Sequence, residues 1–207
     1  MGALGGRRVR AAAGVAMVLA SLEEVRRRNV PPYEQRLFRV ANDAPVAIRI
    51  PVRSVMQAGT FVTVPIVAVL AAATGRRRLA VDLATAGTLA WLGAKALKPF
   101  GGRGRPESVM TDVQVRERIA GDFGWVSGHT AVATALAATV WPALPRSVRP
   151  ALVAVVATTA FGRMYVGAHL PLDLIGGAGL GLVLSAMVPP AGIEPATPGL
   201  GNRCSIH

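Results

Sequence analysis

Cysteine is almost absent from this chain. Cys204 is the only one in 207 residues. A single thiol excludes an intrachain disulfide framework and a cysteine metal cluster. Lysine is nearly as scarce: Lys95 and Lys98 are the only two among 23 basic residues, and the rest are arginine. Acidic residues number 11, which leaves a net charge of +12. Charged residues of all kinds make up only 16% of the chain, while 52% is apolar. An ordinary soluble domain carries about 25% charge, so this composition argues against a disordered chain and against a typical soluble enzyme. It also argues against a nucleic-acid partner, because such a basic protein rarely has so apolar a body. Basic loops flanking apolar membrane spans explain both the charge and the hydropathy.

The apolar residues fall into runs. The first, 11–22, follows Arg7, Arg8 and Arg10. It is short against the roughly 20 residues a span requires, and it reads as a weak first membrane helix or an interfacial one. Residues 33–46 mix Leu37, Phe38, Val40 and Ala41 with Glu34, Arg36 and Arg39, the pattern of a helix lying on a membrane surface. Five clearer runs follow at 55–74, 79–97, 130–144, 151–166 and 171–188. The expected fold is all-α: a polytopic membrane helix bundle of five spans plus a weak N-terminal sixth. The expected organisation is an N-terminal segment, 1–54, a membrane domain, 55–190, and a disordered tail, 191–207. The connection 99–126 is long for a compact domain, and such loops are usually functional. Its 110–119 stretch is a candidate lid.

Alternation of the spans brings particular residues together. Lys98 ends one span, and His129 opens the next from the same face. The basic turn 145–150 lies on the opposite face. Residues 151–166 return to the first, carrying Arg163, and His169 and Asp173 follow there. The face therefore gathers Lys98, Arg105 and Arg163, three cations that repel one another unless an anion lies between them. An arginine fork holds two phosphate oxygens at once, and a lysine adds a point charge. Arg163 sits inside an apolar run, where a charge is functional by default. Ser127 and Gly128 precede an apolar helix. Serine there is a structural N-cap, and a helix N-terminus approached by glycine also binds phosphate. His169 and Asp173 are four residues apart around Pro171, a residue favoured at the first helical position. Asp173 there is stabilised by the helix dipole, and it can also fix the tautomer of His169 and leave its other nitrogen free to attack.

Three segments carry a resemblance. Lys98, six residues, then Arg105-Pro106 is the first. Ser127-Gly128-His129 is the second. Arg163, five residues, His169, three residues, Asp173 is the third. In this order they resemble the type 2 phosphatidic acid phosphatase superfamily, the lipid phosphate phosphatases. Val126 stands where the family pattern has proline, and Gly162 where it has serine. The resemblance implies that His169 attacks phosphorus and Asp173 orients it. It implies that His129 protonates the leaving group and then activates water. Lys98, Arg105, Arg163, Ser127 and Gly128 would hold the phosphate. No metal and no cofactor is implied. Arg103 lies outside the pattern and is left as a possible substrate contact.

The expected function is hydrolysis of a lipid-linked phosphate or diphosphate, polyprenyl or phosphatidic acid in type, in a cell membrane. The resemblance favours an active site on the extracytoplasmic face. The expected partners are the lipid substrate and membrane lipids. A lipid phosphotransferase would use the same residues. A non-enzymatic anion-binding or transport protein would not need the His169–Asp173 pair. One histidine neutral and one protonated implies a bell-shaped pH–rate profile.

Overall fold

The computed structural model describes residues 3–117 and 121–188, with side chains from residue 5 onward. The tail expected to be disordered and the end of the candidate lid lie outside them. Helices appear in chain order as α1 (Ala3–Arg26), α2 (Pro32–Asn42), α3 (Arg49–Met56), α4 (Thr63–Ala73), α5 (Arg77–Gly101), α6 (Pro106–Val109), α7 (Gly128–Val140), α8 (Arg149–Tyr165) and α9 (Pro171–Met187). No strand occurs among the described residues, and Gly104 and Phe123 form one isolated antiparallel bridge. The expected all-α class is therefore observed.

The local signals explain where the helices begin and end. Pro32 and Pro171 occupy first helical positions, where a missing N–H costs nothing. Ser127 caps α7, its hydroxyl accepting from the Thr130 N–H. Gly102, at φ 62°, closes α5 in the left-handed conformation that glycine adopts freely. Along α5, Leu79, Leu83, Ala86, Ala90 and Ala94 form a buried stripe at helical spacing. They meet Val132, Ala135 and Leu136 of α7 and Leu180 of α9 in the main core.

Two expectations are corrected. The run 55–74 is not one straight helix. It breaks at residues 60–62, where the segments Val46–Gly59 and Thr63–Ala73 meet at a 70° bend. The bend wraps the start of α7. A Cβ on Gly59 would lie 2.4 Å from the His129 carbonyl oxygen, so only glycine fits there. The hydroxyls of Thr60 and Thr63 both donate to the Gln57 carbonyl at the bend, which also accepts the Thr60 N–H. The other runs do form helices, but no single described helix is long and apolar enough to cross a membrane. The bent pair alone meets that test, by length and composition. Helix α7 has 13 residues, and Pro142 tightens its end into the turn Trp141–Ala143. Helices α1 and α5 have the length but carry charges along it.

The N-terminal run, read as weak, is a 24-residue helix packed along α9. The two cross at glycine: a Cβ on Gly14 would lie 2.6 Å from the Gly179 carbonyl oxygen, and one on Gly179 would lie 2.6 Å from that of Gly14. Small residues at such a crossing let backbones touch. The arginines before the run hold helix ends. Arg7 donates from Nε and Nη2 to the Ala186 carbonyl at 3.0 and 2.7 Å, and Arg10 Nη1 donates to the Ala138 carbonyl at 2.8 Å. Cations there complement the C-terminal ends of α9 and α7.

Gly179→Ala should cost about 1–3 kcal/mol, because the methyl must displace backbone. Gly93→Ala, whose Cβ would make ordinary contacts with Leu184 Cδ1 at 3.4 Å and the Leu180 methyls at 3.7 Å, should be neutral or stabilising by up to about 1 kcal/mol. Thermal unfolding in detergent measures both.

Candidate active site

The expected residues converge on one end of the bundle. Lys98 ends α5, His129 opens α7, Arg163 lies in the last turn of α8, and Asp173 lies in the first turn of α9. His169 sits in the short connection between α8 and α9, 3% exposed. Its Nδ1 is 3.5 Å from Asp173 Oδ2, a charge contact longer than a hydrogen bond. Asp173 is fully buried, and the same Oδ2 accepts the Leu170 N–H at 2.9 Å. Burial holds the His169 imidazole down to about pKa 4. Asp173 opposes that shift, while Arg163 and Lys98 add to it. His129 lies within the field of Arg163, His169 and Lys98.

Lys98 and Arg105 are fixed by backbone carbonyls, and Arg163 by side chains. Lys98 Nζ donates to Phe123 O at 3.1 Å and Val126 O at 3.4 Å. Arg105 Nε donates to Gly121 O at 2.6 Å and Nη1 to Ala168 O at 3.1 Å. Arg163 Nη1 meets Glu117 Oε1 at 3.4 Å and Met56 Sδ at 3.8 Å, and its buried Nε has no hydrogen-bond partner. Ser127 N–H donates to the Asp173 carbonyl at 2.9 Å, which ties the start of α7 to the start of α9. The preceding Trp125 is buried, and its indole N–H donates to Ser21 Oγ of α1 at 3.1 Å.

Two helix starts, a histidine–aspartate pair, a second histidine and three cations from separate elements form one cluster. The sequence pattern of the PAP2 superfamily matches residues 78–191, more than half the chain and the whole of this cluster. The chain belongs to the PAP2 superfamily. Its fold is similar to that of LpxE from Aquifex aeolicus, with a TM-score of 0.68 and 22% identity over 74% of this chain and 93% of that one. It is also similar to a transmembrane PAP2-type phosphatidylglycerolphosphate phosphatase from Bacillus subtilis, with a TM-score of 0.61 and 18% identity over 84% and 93% of the two chains. No curated protein matches it in sequence. Family membership and these neighbours support a phosphatase.

Three features of this PAP2 site were not foreseen. Arg103 is not open to substrate. It is 2% exposed and bound to both Glu34 and Asp173. Glu34 is fully buried, although the surface-helix reading of 33–46 put it among solvated residues. The proline pair before it was the available signal, because a helix starting at Pro32 turns Glu34, Phe38, Ala41 and Asn42 to one side. Glu117 contacts Arg163, and nothing in its spacing pointed there. The middle of the candidate lid is held down. Arg116 Nη1 donates to the Asn42 and Tyr165 carbonyls, both at 2.6 Å, and its guanidinium lies 4.2 Å over the Tyr165 ring.

Gly162, where the PAP2 pattern has serine, is matched to α3. A Cβ there would lie 3.2 Å from Met56 Cβ and Sδ and from Val52 Cγ1. The amphipathic α3 fills the space a serine would take. Gly162→Ser should lower stability by about 1–2 kcal/mol. Pairing it with Met56→Ala should return part of that loss, a coupling read by a double-mutant cycle of thermal unfolding.

Proposed function

We propose that this PAP2 protein is a membrane phosphatase that hydrolyses a lipid-linked phosphate or diphosphate through a phosphohistidine, without a metal. One observation carries the reading: a buried histidine backed by a carboxylate opens onto Lys98, Arg105 and Arg163, which arrive from three different elements. With Nδ1 facing Asp173, Nε2 is left to attack phosphorus. The bond from phosphorus to the leaving oxygen breaks, and His129 delivers a proton to that oxygen. His129 then takes a proton from water, whose oxygen attacks phosphorus and breaks the P–N bond. Phosphate leaves, and His169 is restored. The three cations neutralise the charge that gathers on the phosphoryl oxygens, with the Ser127 hydroxyl and the Gly128 N–H beside them.

A lipid tail suits the surroundings. An apolar groove of about 790 Å³ runs between α1, α7, α8 and α9, from Thr130 and Leu174 near the site toward Trp141 and Arg10 at the other end. Eleven residues of rise along α7 give it about 16 Å. Exposed Ile66, Val69 and Leu70 on α4, with Val15 and Leu19 on α1, suit contact with lipid. The basic turns 75–78 and 145–150 lie at the end away from the site, which suits a cytoplasmic position for them and an outward-facing site.

The test is phosphate release from a panel of phosphatidic acid, phosphatidylglycerolphosphate and polyprenyl phosphates and diphosphates, in lipid with EDTA present. Release should survive chelation and fall about 10³-fold or more in His169→Ala. Transfer of phosphate to an added alcohol with none released would mark a phosphotransferase. Binding of lipid phosphate without turnover would mark an anion-binding protein.

The pH dependence has a defined sign. His169 attacks only when neutral, and burial holds its pKa at about 4. Activity should therefore persist on the acid side well below the ordinary histidine value of about 6.5 and be lost as pH falls through about 4. An acid limb of kcat/KM at or above the ordinary value would contradict this assignment.

A further inference from the structure

Behind Asp173 lies a charged pair that the mechanism does not use. Arg103, just past α5, donates from Nη1 to Glu34 Oε2 at 2.7 Å and from Nη2 to Glu34 Oε1 at 3.1 Å. The same Nη2 donates to Asp173 Oδ1 at 2.7 Å. Glu34 Oε1 also accepts the Leu172 N–H at 2.9 Å, at the start of α9. All three charged side chains are at most 1% exposed. A chain of contacts thus runs from α2 through the α5 connection to the nucleophile: Glu34, Arg103, Asp173, His169.

We infer that Glu34 and Arg103 are positioning residues that hold Asp173 in place and set the charge it presents to His169. The inference rests on the phosphatase reading above. Both Asp173 oxygens are occupied, Oδ1 by Arg103 and Oδ2 by the Leu170 N–H facing His169, so the carboxylate cannot rotate away. Arg103 alone would offset the Asp173 charge. Glu34 restores it, and two carboxylates around one guanidinium leave a net negative unit behind the imidazole. That unit stabilises the positive charge that His169 gains when it bonds to phosphorus. Stability alone is a weak reason to bury such ions, because a buried ion pair is often no better than apolar packing of the same volume.

The groups facing His169 are Asp173 from α9, Arg163 from α8, Lys98 from α5 and His129 from α7. Arg103 and Arg105 act on it through Asp173. Against that fixed background the two positioning residues have opposite effects. Glu34→Gln leaves the trio neutral and should move the acid limb of kcat to lower pH. Arg103→Met leaves two carboxylates unbalanced and should move it to higher pH. Each shift should be about half a pH unit or more. Neither residue touches substrate, so KM should stay within about twofold while kcat falls about 10- to 100-fold. Arg103→Lys should keep the wild-type limb, because it keeps the charge.

The same variants labelled with nitrogen-15 histidine report the His169 titration directly. The chain has three histidines, and His169→Ala identifies the signal. Opposite movements of that midpoint would support the inference whether or not phosphate is released. An inactive wild type would then count against the phosphatase reading alone. Midpoints that stay put, or move the same way in both variants, would overturn the inference. The double variant Glu34→Met with Arg103→Met keeps the net negative charge behind the imidazole but removes the guanidinium that anchors Asp173 Oδ1. Wild-type kcat in that protein would overturn it equally.

Discussion

The Asp173 carboxylate is the constraint on which this site depends. It is fully buried, and three elements converge on it: Arg103 beyond α5, the Leu170 N–H ahead of α9, and His169. Burying such a charge without partners would cost several kcal/mol. Its position therefore fixes the position of everything that satisfies it. The backbone carbonyl of the same residue takes the Ser127 N–H, so the start of α7 is hung from the start of α9. His169, the start of α7 and the Arg103 guanidinium are thereby held relative to one another, the preorganisation that the proposed chemistry requires.

The bundle serves this arrangement by bringing helix ends, rather than helix middles, to the site. Helices α5, α7, α8 and α9 each deliver one polar residue to the same end, and the apolar flanks of α5, α7 and α9 pack together in the main core. The close α1–α9 crossing at Gly14 and Gly179 and the bend at Gly59 are backbone contacts that hold the frame. Helix α2 has a double character. Phe38 and Glu34 face inward, while Tyr33, Leu37 and Val40 are exposed on the other side. That is the form of a helix lying at an interface, and its inward side reaches the Asp173 carboxylate through Arg103.

The PAP2 family pattern leaves room for local solutions. Gly162 in place of serine is accommodated by Met56 and Val52 of α3, so a polar side chain is exchanged for helix packing beside Arg163. Glu117, from the long connection, places a carboxylate against Arg163 where substrate phosphate is proposed to sit. Like-charge repulsion among Lys98, Arg105 and Arg163 is reduced by carbonyls at Phe123, Val126, Gly121 and Ala168. These carbonyls come from backbone, which no residue identity records.

The sequence by itself determined the all-α class, the runs that became α5, α7, α8 and α9, and the meeting of Lys98, His129, Arg163, His169 and Asp173 at one end. Those features depend on local periodicity and on the alternation of connected helices, both written along the chain. The cap at Ser127 and the helix start at Pro171 were legible for the same reason, because a helix start is a local event. Tertiary structure alone decided that 55–74 bends, that α1 is a full helix of the bundle, and that Glu34 and Arg103 lie buried behind Asp173. Glu34 and Arg103 are 69 residues apart, and no local pattern pairs them. A polar residue in a polar stretch reads as solvated until a second segment covers it. Only the packed chain brings the guanidinium and the two carboxylates close enough to hold one another out of water.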